Sequence, residues 1–390
     1  MVEIEFKKID GTSPGYYLIL LILAIFTLWG VYAWYLQLVY GHCVTGLSQR
    51  VPWGFGTAAI CYLIGASAGS LIVSALSGVF GKEEFKIFSR SACLFALAMI
   101  VAAMLSIMQD IGNPENGLNV LAHFNFTSIF SWNAFLYSSY FVIGFIYLLA
   151  QFEEKKFLAK CLAVLAVAWA VLVHSGTGGI VGFVYSTELY HSPLTIPLFI
   201  VSAIVSGLGL LIPAYILAFR WTHRPLDRNL MWTLAKIMGA LTILLLYCFA
   251  AEILDCAYVP GNQEAIRIFL FDFRYPYAWV FWFVQILGCV LTVAILLSPW
   301  GKTDWGMIAS GLIVAVAVYG ERYTLITPGL GIPKDYVPGM IFKPYIVVPY
   351  YPAWTEYAMF IGLVTAAYLA WCIGLKIFAV LPERGEVVEK

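Results

Sequence analysis

Charge is scarce in this 390-residue chain: Asp, Glu, Lys and Arg make up 11% of it, against about 25% in soluble proteins. The 22 basic and 22 acidic residues cancel to a formal net charge of +0, so no basic field draws in nucleic acid. Eight cysteines occur without a single C-x-x-C, which leaves no ligand set for an iron–sulfur cluster or a zinc ribbon. Most of them lie in apolar runs, where a thiol acts as a small hydrophobe. Five histidines are present (His42, His123, His174, His191 and His223), and only His174 falls near a helix interior. The paired axial histidines of a transmembrane haem b are therefore missing. No Walker or Ser/His/Asp pattern occurs. Gly176-Thr177-Gly178-Gly179 follows an apolar helical run rather than a strand, so it is not a dinucleotide fingerprint; it reads as close helix packing or a local unwinding. The chain is expected to hold no metal, haem or cluster of its own.

What is abundant is apolar. Hydrophobic residues reach 62% and aromatics 16%, and mean hydropathy is +0.87. That is too little polar surface to coat a globule, and too many aromatics for disorder. Runs long enough for a hydrocarbon core of about 30 Å fall at 16–40, 55–80, 87–109, 131–151, 157–174, 192–219, 229–256, 277–299, 304–321 and 353–379. None alternates like a barrel strand, so all-α is the reading. The first run is not a cleavable signal, because it is long and ends in Trp34, Tyr35 and Tyr40. Ten spans place both termini on one side. Fifteen Lys and Arg fall there, against six on the other side, with Lys236 inside the seventh run. By the positive-inside rule both termini are cytoplasmic in a multi-pass cell-membrane protein.

The outer connections are the longer ones. The stretch 322–352 carries Pro328, Pro333, Pro338, Pro344, Pro349 and Pro352 beside several tyrosines. Prolines at that density stiffen a chain, which suits docking of another subunit, or an ordinary interfacial aromatic belt. Ionisable residues gather at outer helix ends: Asp110 closes the third run, His174 the fifth, and Glu252 and Asp255 stand one turn apart in the seventh. Such residues are functional candidates when they lie in hydrocarbon, and unremarked polar groups when they lie at headgroup depth. Glu321 and Arg322, adjacent at the end of the ninth run, read as structural pairing groups, and Lys236 can snorkel. Imidazole and carboxylate beside aromatics at one membrane face suit a quinone headgroup, whose oxidation needs proton acceptors and an apolar slot. An electron acceptor would have to come from a partner.

Several segments together resemble the NrfD/polysulfide-reductase membrane-subunit family. Val51-Pro52-Trp53-Gly54 is similar to its proline-tryptophan-glycine turn, and Asp110-Ile111-Gly112-Asn113-Pro114 to x-L-G-R-P. Phe126-Thr127-Ser128-Ile129-Phe130-Ser131-Trp132-Asn133 is similar to F-R-S-P-x-x-W-[DGN], and Val173-His174-Ser175 to the fifth-helix valine-histidine segment. Tyr275-Pro276-Tyr277-Ala278-Trp279, Glu321-Arg322-Tyr323 and Tyr351-Pro352-Ala353-Trp354 resemble late motifs of the ten-helix branch. The motif arginines are replaced by Asn113 and Thr127, and the proline by Ile129.

The resemblance implies one domain over 1–390, with four-helix bundles of helices 2–5 (55–184) and 6–9 (192–321) and peripheral helices 1 and 10. It implies a quinone pocket on the outer side of the first bundle, formed by Asp110, Asn133 and His174 with His123 nearby. Asp110 and His174 would accept protons and Asn133 would orient the ring, since an amide cannot take a proton. Glu252 and Asp255 are a candidate proton route. Within the family, the ten-helix layout and the segment 174–182 look most like the DsrP/HmeB type. That likeness implies a menaquinol-oxidising subunit of a respiratory complex in sulfate or sulfur metabolism, inactive alone. The implied partners are an extracytoplasmic ferredoxin-like iron–sulfur subunit, a multihaem cytochrome c, a haem b membrane subunit and a cytoplasmic Hdr-like iron–sulfur subunit. A secondary transporter or a purely structural membrane anchor is the alternative. A transporter would require broken helices or midplane charges; Pro213 could break the sixth run, or only kink it.

Overall fold

The computed structural model describes residues 4–332 and 347–383, apart from 185, 186 and 188. It is nearly all helix, with ten helices long and apolar enough to cross a membrane. They are α1 (Pro14–Tyr40), α2 (Phe55–Phe80), α3 (Ser89–Asp110), α4 (Ile129–Phe152) and α5 (Lys156–Gly182). Then follow α6 (Thr195–Trp221), α7 (Arg228–Tyr258), α8 (Pro276–Leu297), α9 (Asp304–Gly331) and α10 (Trp354–Ile377). The chain is a multi-pass integral membrane protein.

Two helices outrun their apolar stretches. α5 continues through the Gly176 cluster to Gly182 without unwinding, because the glycines let α6 approach: a Cβ on Gly178 would meet the Ile196 Cα at 3.2 Å. α9 continues to Gly331 with Pro328 inside it. The connection between α9 and α10 therefore starts at 332 rather than 322, and Arg322 is a buried helical residue rather than a loop charge. Of the prolines in that connection, Pro333, Pro338 and Pro344 lie outside the described residues. α6 runs unbroken through Pro213. α8 opens with a short α-helical turn and then a π-helical stretch, Val280–Ile286.

Burial separates the centre from the periphery. In the most apolar window of α2, 83% is buried, against 11% in α1, so α2 is core and α1 is lipid-facing. α2 packs on α3, α5 and α6, α4 joins α3 to α5, and α6, α7, α8 and α9 contact one another in turn, with α9 back against α6. Glycine sets the closest crossings: a Cβ on Gly207 would lie 2.6 Å from the Gly69 backbone, and one on Gly30 would lie 2.7 Å from Gly362. Without water to exclude, helices associate in lipid through such close packing. The Gly30–Gly362 crossing joins α1 to α10, which in turn covers α3 and α2.

The two ends of the chain meet on one side. Strand β1 (Phe6–Lys7) pairs antiparallel with β2 (Leu381–Pro382). Arg224, from the α6–α7 connection, donates to the carbonyls of Lys8 (2.8 Å), Leu381 (3.1 Å) and Pro382 (3.1 Å). The Arg90 guanidinium lies 4.2 Å from the Phe6 ring centre.

Candidate functional site

Asp110 is the last residue of α3 and faces the first turn of α2. Thr57 Oγ1 donates to its Oδ2 at 2.8 Å. A Cβ on Gly56 would fall 2.8 Å from Oδ1, so the glycine is what keeps room beside that oxygen. Asp110 lines a small, half-open cleft between α1, α2, α3 and α10. Its polar wall adds Gln37, His42, Gln109 and Glu356, and its apolar wall includes Met359 and Phe360.

Each polar group there has a local cause. Gln37 is on the last turns of α1, 6% exposed; its Nε2 donates to the Gln109 carbonyl, and its Oε1 has no partner among the described residues. His42 follows in the turn Gly41–Val44, with each ring nitrogen 3.5 Å from Gln37 Nε2. Glu356 lies in the first turn of α10 and accepts from three donors: the N–H of Ala353 (2.9 Å), the N–H of Gly46 (2.7 Å) and the Tyr350 hydroxyl. Burial, then the Glu356 carboxylate, pushes the Tyr350 phenol well above its ordinary value, so it stays a donor. Glu356 is thus a fixed wall, while Gln37 Oε1 has no donor among the described residues and Asp110 Oδ1 stands beside Gly56.

The remaining expected residues lie elsewhere. His174, 1% exposed, sits about 12 Å below the outer end of α5, at 1.5 Å per residue. Its Nε2 would lie 3.4 Å from a Cβ on Gly65, next to Ser206 of α6. Apart from an approach to the Ala170 carbonyl one turn back, neither ring nitrogen has a partner among the described residues. Asn133 is near it on α4: its Nδ2 donates to the carbonyls of Ile129 (2.9 Å) and Gly176 (3.0 Å), and its buried Oδ1 is unpartnered. Asp110 and His174 touch α2 nine residues apart, at Gly56 and Gly65. That is roughly 13 Å of rise and about half a turn of rotation, so α2 stands between them and one ring cannot touch both. His123 is exposed at the end of the short helix Asn119–Ala122. Glu252 accepts from Thr195 Oγ1 (2.9 Å), and the exposed Asp255 from Ser192 Oγ (3.0 Å). No group of three or more His, Cys, Asp or Glu able to hold a metal exists among the described residues.

Gln37 and His42 were not singled out from sequence. The available signal was His42 on the outer connection after the first run, on the same side as Asp110. What joins them is the folding of α1 and α10 over α2, a contact between the two ends of the chain.

Comparison with known proteins agrees with this architecture. The family profile described as "Polysulphide reductase, NrfD" matches residues 43–333. The Hdr-like menaquinol oxidoreductase integral membrane subunit of Archaeoglobus fulgidus is 48% identical, covering 100% of both chains. The menaquinone reductase integral membrane subunit of Nitratidesulfovibrio vulgaris is 24% identical, over 94% of this chain and 92% of its own. The NrfD protein of Escherichia coli is 22% identical, over 67% of this chain and 88% of its own.

Proposed function

The chain belongs to the NrfD (polysulphide reductase) family, and on that footing we propose that it is the quinone-reactive membrane subunit of a menaquinol oxidoreductase complex, oxidising menaquinol in the Asp110 cleft. Relatives named as membrane subunits of menaquinol and menaquinone enzymes support the substrate class. The observation that carries the site is the buried, unpartnered Gln37 Oε1, which shares one cleft with the Asp110 carboxylate and an apolar wall. A ring bearing hydroxyls is what such a slot accommodates.

Bound menaquinol supplies two electrons and two protons. Asp110 takes a proton at Oδ1, while Thr57 holds Oδ2 and so fixes the carboxylate plane. Gln37 Oε1 orients the ring by accepting its other hydroxyl, and the His42 imidazole beside it is a second proton acceptor on the way out. His174, across α2, holds a proton apart from the cleft, with Asn133 orienting on the same side. Exposed His123 belongs to the outer rim. Glu252 and Asp255, one turn apart with a hydroxyl on each, form a proton-release route in the second half. With Arg322 inside α9, the fifteen-to-five excess of basic residues in the connections supports cytoplasmic termini and hence an outer-facing cleft.

The helix neighbours support two four-helix bundles, α2–α5 and α6–α9, flanked by α1 and α10. The Archaeoglobus relative's name, a Hdr-like menaquinol oxidoreductase membrane subunit, supports a place in a multi-subunit complex; from the motif resemblance we further propose an extracytoplasmic ferredoxin-like iron–sulfur subunit that takes the electrons, a multihaem cytochrome c, a haem b subunit and a cytoplasmic Hdr-like protein, serving sulfate or sulfur metabolism. Asp110→Asn in the assembled complex tests the site. Quinol-dependent reduction of the partner clusters should fall by about 10²–10⁴, with assembly intact, and His174→Ala should cost less. Wild-type turnover in Asp110→Asn would remove the assignment.

A further inference from the structure

The lead-in to α8 repeats the lead-in to α4. Asn125 Oδ1 accepts from the Thr127 N–H (3.0 Å), and Trp132 Nε1 donates to the Phe126 carbonyl (2.9 Å). In the same order, Asp272 Oδ1 accepts from the Arg274 N–H (3.1 Å), and Trp279 Nε1 donates to the Phe273 carbonyl (2.9 Å). The next helices correspond too: His174 and Arg322 each stand eighteen residues beyond the first residue of their helix, Lys156 and Asp304. The second half therefore reproduces the frame of the first, and it holds a cavity of its own.

That cavity is half open to its surroundings. Glu252, Gln285, Glu321 and Thr324 supply its polar lining, and Phe249, Phe269 and Phe281 supply aromatic wall. The π-helical stretch of α8 carries Gln285, whose Oε1 accepts from Thr324 Oγ1 at 2.6 Å; such stretches recur at functional sites. Glu321 is 2% exposed. Its Oε1 accepts from Arg322 Nη1 at 2.7 Å, whereas Oε2 has no partner among the described residues. A buried carboxylate oxygen without a donor, at an aromatic-walled cavity, calls for a ligand that brings a hydrogen.

We propose that this cavity is a second binding site, for the reduced, dihydroxylated form of an aromatic quinol, in which Glu321 Oε2 accepts one hydroxyl and Glu252 the other. The inference borrows only the ligand class from the preceding reading, since the cavity shares no lining residue with the Asp110 cleft. An oxidised quinone would set carbonyl oxygens against carboxylate oxygens. The reduced form is therefore preferred by at least about tenfold, the worth of one charge-assisted hydrogen bond.

The test uses the full chain in lipid nanodiscs and a diazirine-bearing naphthoquinol kept reduced under anaerobic conditions, with cross-links mapped by mass spectrometry. Two peptide sets should be labelled, one around Asp110 and Met359 and one around 249–256 and 281–285. Ile253→Trp, which fills the second cavity, should abolish the second set and spare the first. In wild-type chain, unlabelled quinol should compete with the second set at least about tenfold better than the matching quinone. Labelling of the first set alone overturns this proposal, as does second-set labelling undiminished in Ile253→Trp, or equal competition by quinone. Labelling of the second set alone upholds it and overturns the Asp110 site instead; labelling of neither overturns both.

Discussion

The halves α2–α5 and α6–α9 share a frame but treat their central polar residue differently. In the first, His174 is buried and, apart from its approach to the Ala170 carbonyl, its ring nitrogens have no partner among the described residues, while Asn133 on α4 keeps an unpartnered Oδ1. In the second, Arg322 at the matching position is 0% exposed and largely satisfied: by Glu321, by Ser202 Oγ at 2.5 Å, and by the Phe199 ring 3.7 Å from its guanidinium carbon. Ser202 and Ser206, one turn apart on α6, present hydroxyls on the sides of Arg322 and His174 respectively. A neutral imidazole can be left waiting in a membrane interior; a guanidinium cannot, because an unpaired buried charge costs several kcal/mol. The first half therefore holds polar groups in reserve, and the second locks its cation and keeps one carboxylate oxygen back.

The largest expected effect tests that difference. Arg322→Met leaves Glu321 as an uncompensated buried charge and should cost about 3–5 kcal/mol, read as a large fall in the thermal midpoint of the detergent-solubilised chain. Adding Glu321→Gln to Arg322→Met should restore much of it, since removing both charges is far cheaper than removing one. His174→Gln at the matching position breaks no hydrogen bond and should shift the midpoint little. Equal losses at the two positions would end the claim that the halves differ in how their centres are held.

A smaller effect tests what the halves share. Trp132→Phe and Trp279→Phe each delete one indole-to-carbonyl hydrogen bond while keeping an aromatic ring packed on Phe126 or Phe273. Each should cost about 0.5–1.5 kcal/mol, and the two costs should match, as amide exchange in the two lead-ins would measure. A cost confined to one of them would mean that the likeness is one of sequence spacing without common energetics.

Much of the fold was legible because hydropathy reports contact with lipid. The run 55–80 coincides with Phe55–Phe80, and each of the ten runs holds a membrane-length helix, whereas the short helix Gln263–Phe271 was not foreseen. Where the reading stopped short, at Gly176–Gly182 and Glu321–Gly331, the helices go on among other helices rather than in lipid. Small and polar residues lower the hydropathy there without ending the helix. The site was only half legible for a related reason. Asp110 declares itself as a carboxylate at a helix end, but Gln37, His42 and Glu356 enter its cleft only because α1 and α10 pack over α2. Nor does sequence show that α2 stands between Asp110 and His174, because that depends on which of its faces meets which neighbour. The family resemblance implied one pocket for the two residues; nine residues of helix separate their contacts on α2.

The finest test turns on one titratable atom. The lead-ins to α4 and α8 differ in their capping residue: Asn125 in the first, which does not titrate, and Asp272 in the second. Hydrogen bonds from the Arg274 guanidinium, at 2.8 and 2.6 Å, hold the Asp272 carboxyl below its ordinary value of 3.8, with a further contribution from the Arg274 N–H. A depressed folded-state value means the turn's stabilisation is complete above the ordinary value and is lost as pH falls through the lower one. Acidification from about pH 5 to about pH 2.5 should therefore speed exchange of the Arg274 amide a few-fold, after correction for intrinsic rates, and leave the Thr127 amide unchanged. The Arg274 side chain is largely in water and Asp272 is partly exposed, so the effect is small and should shrink in high salt. Parallel acceleration of both amides would show that the turns open together with the helices behind them, and that the carboxylate contributes nothing the amide does not.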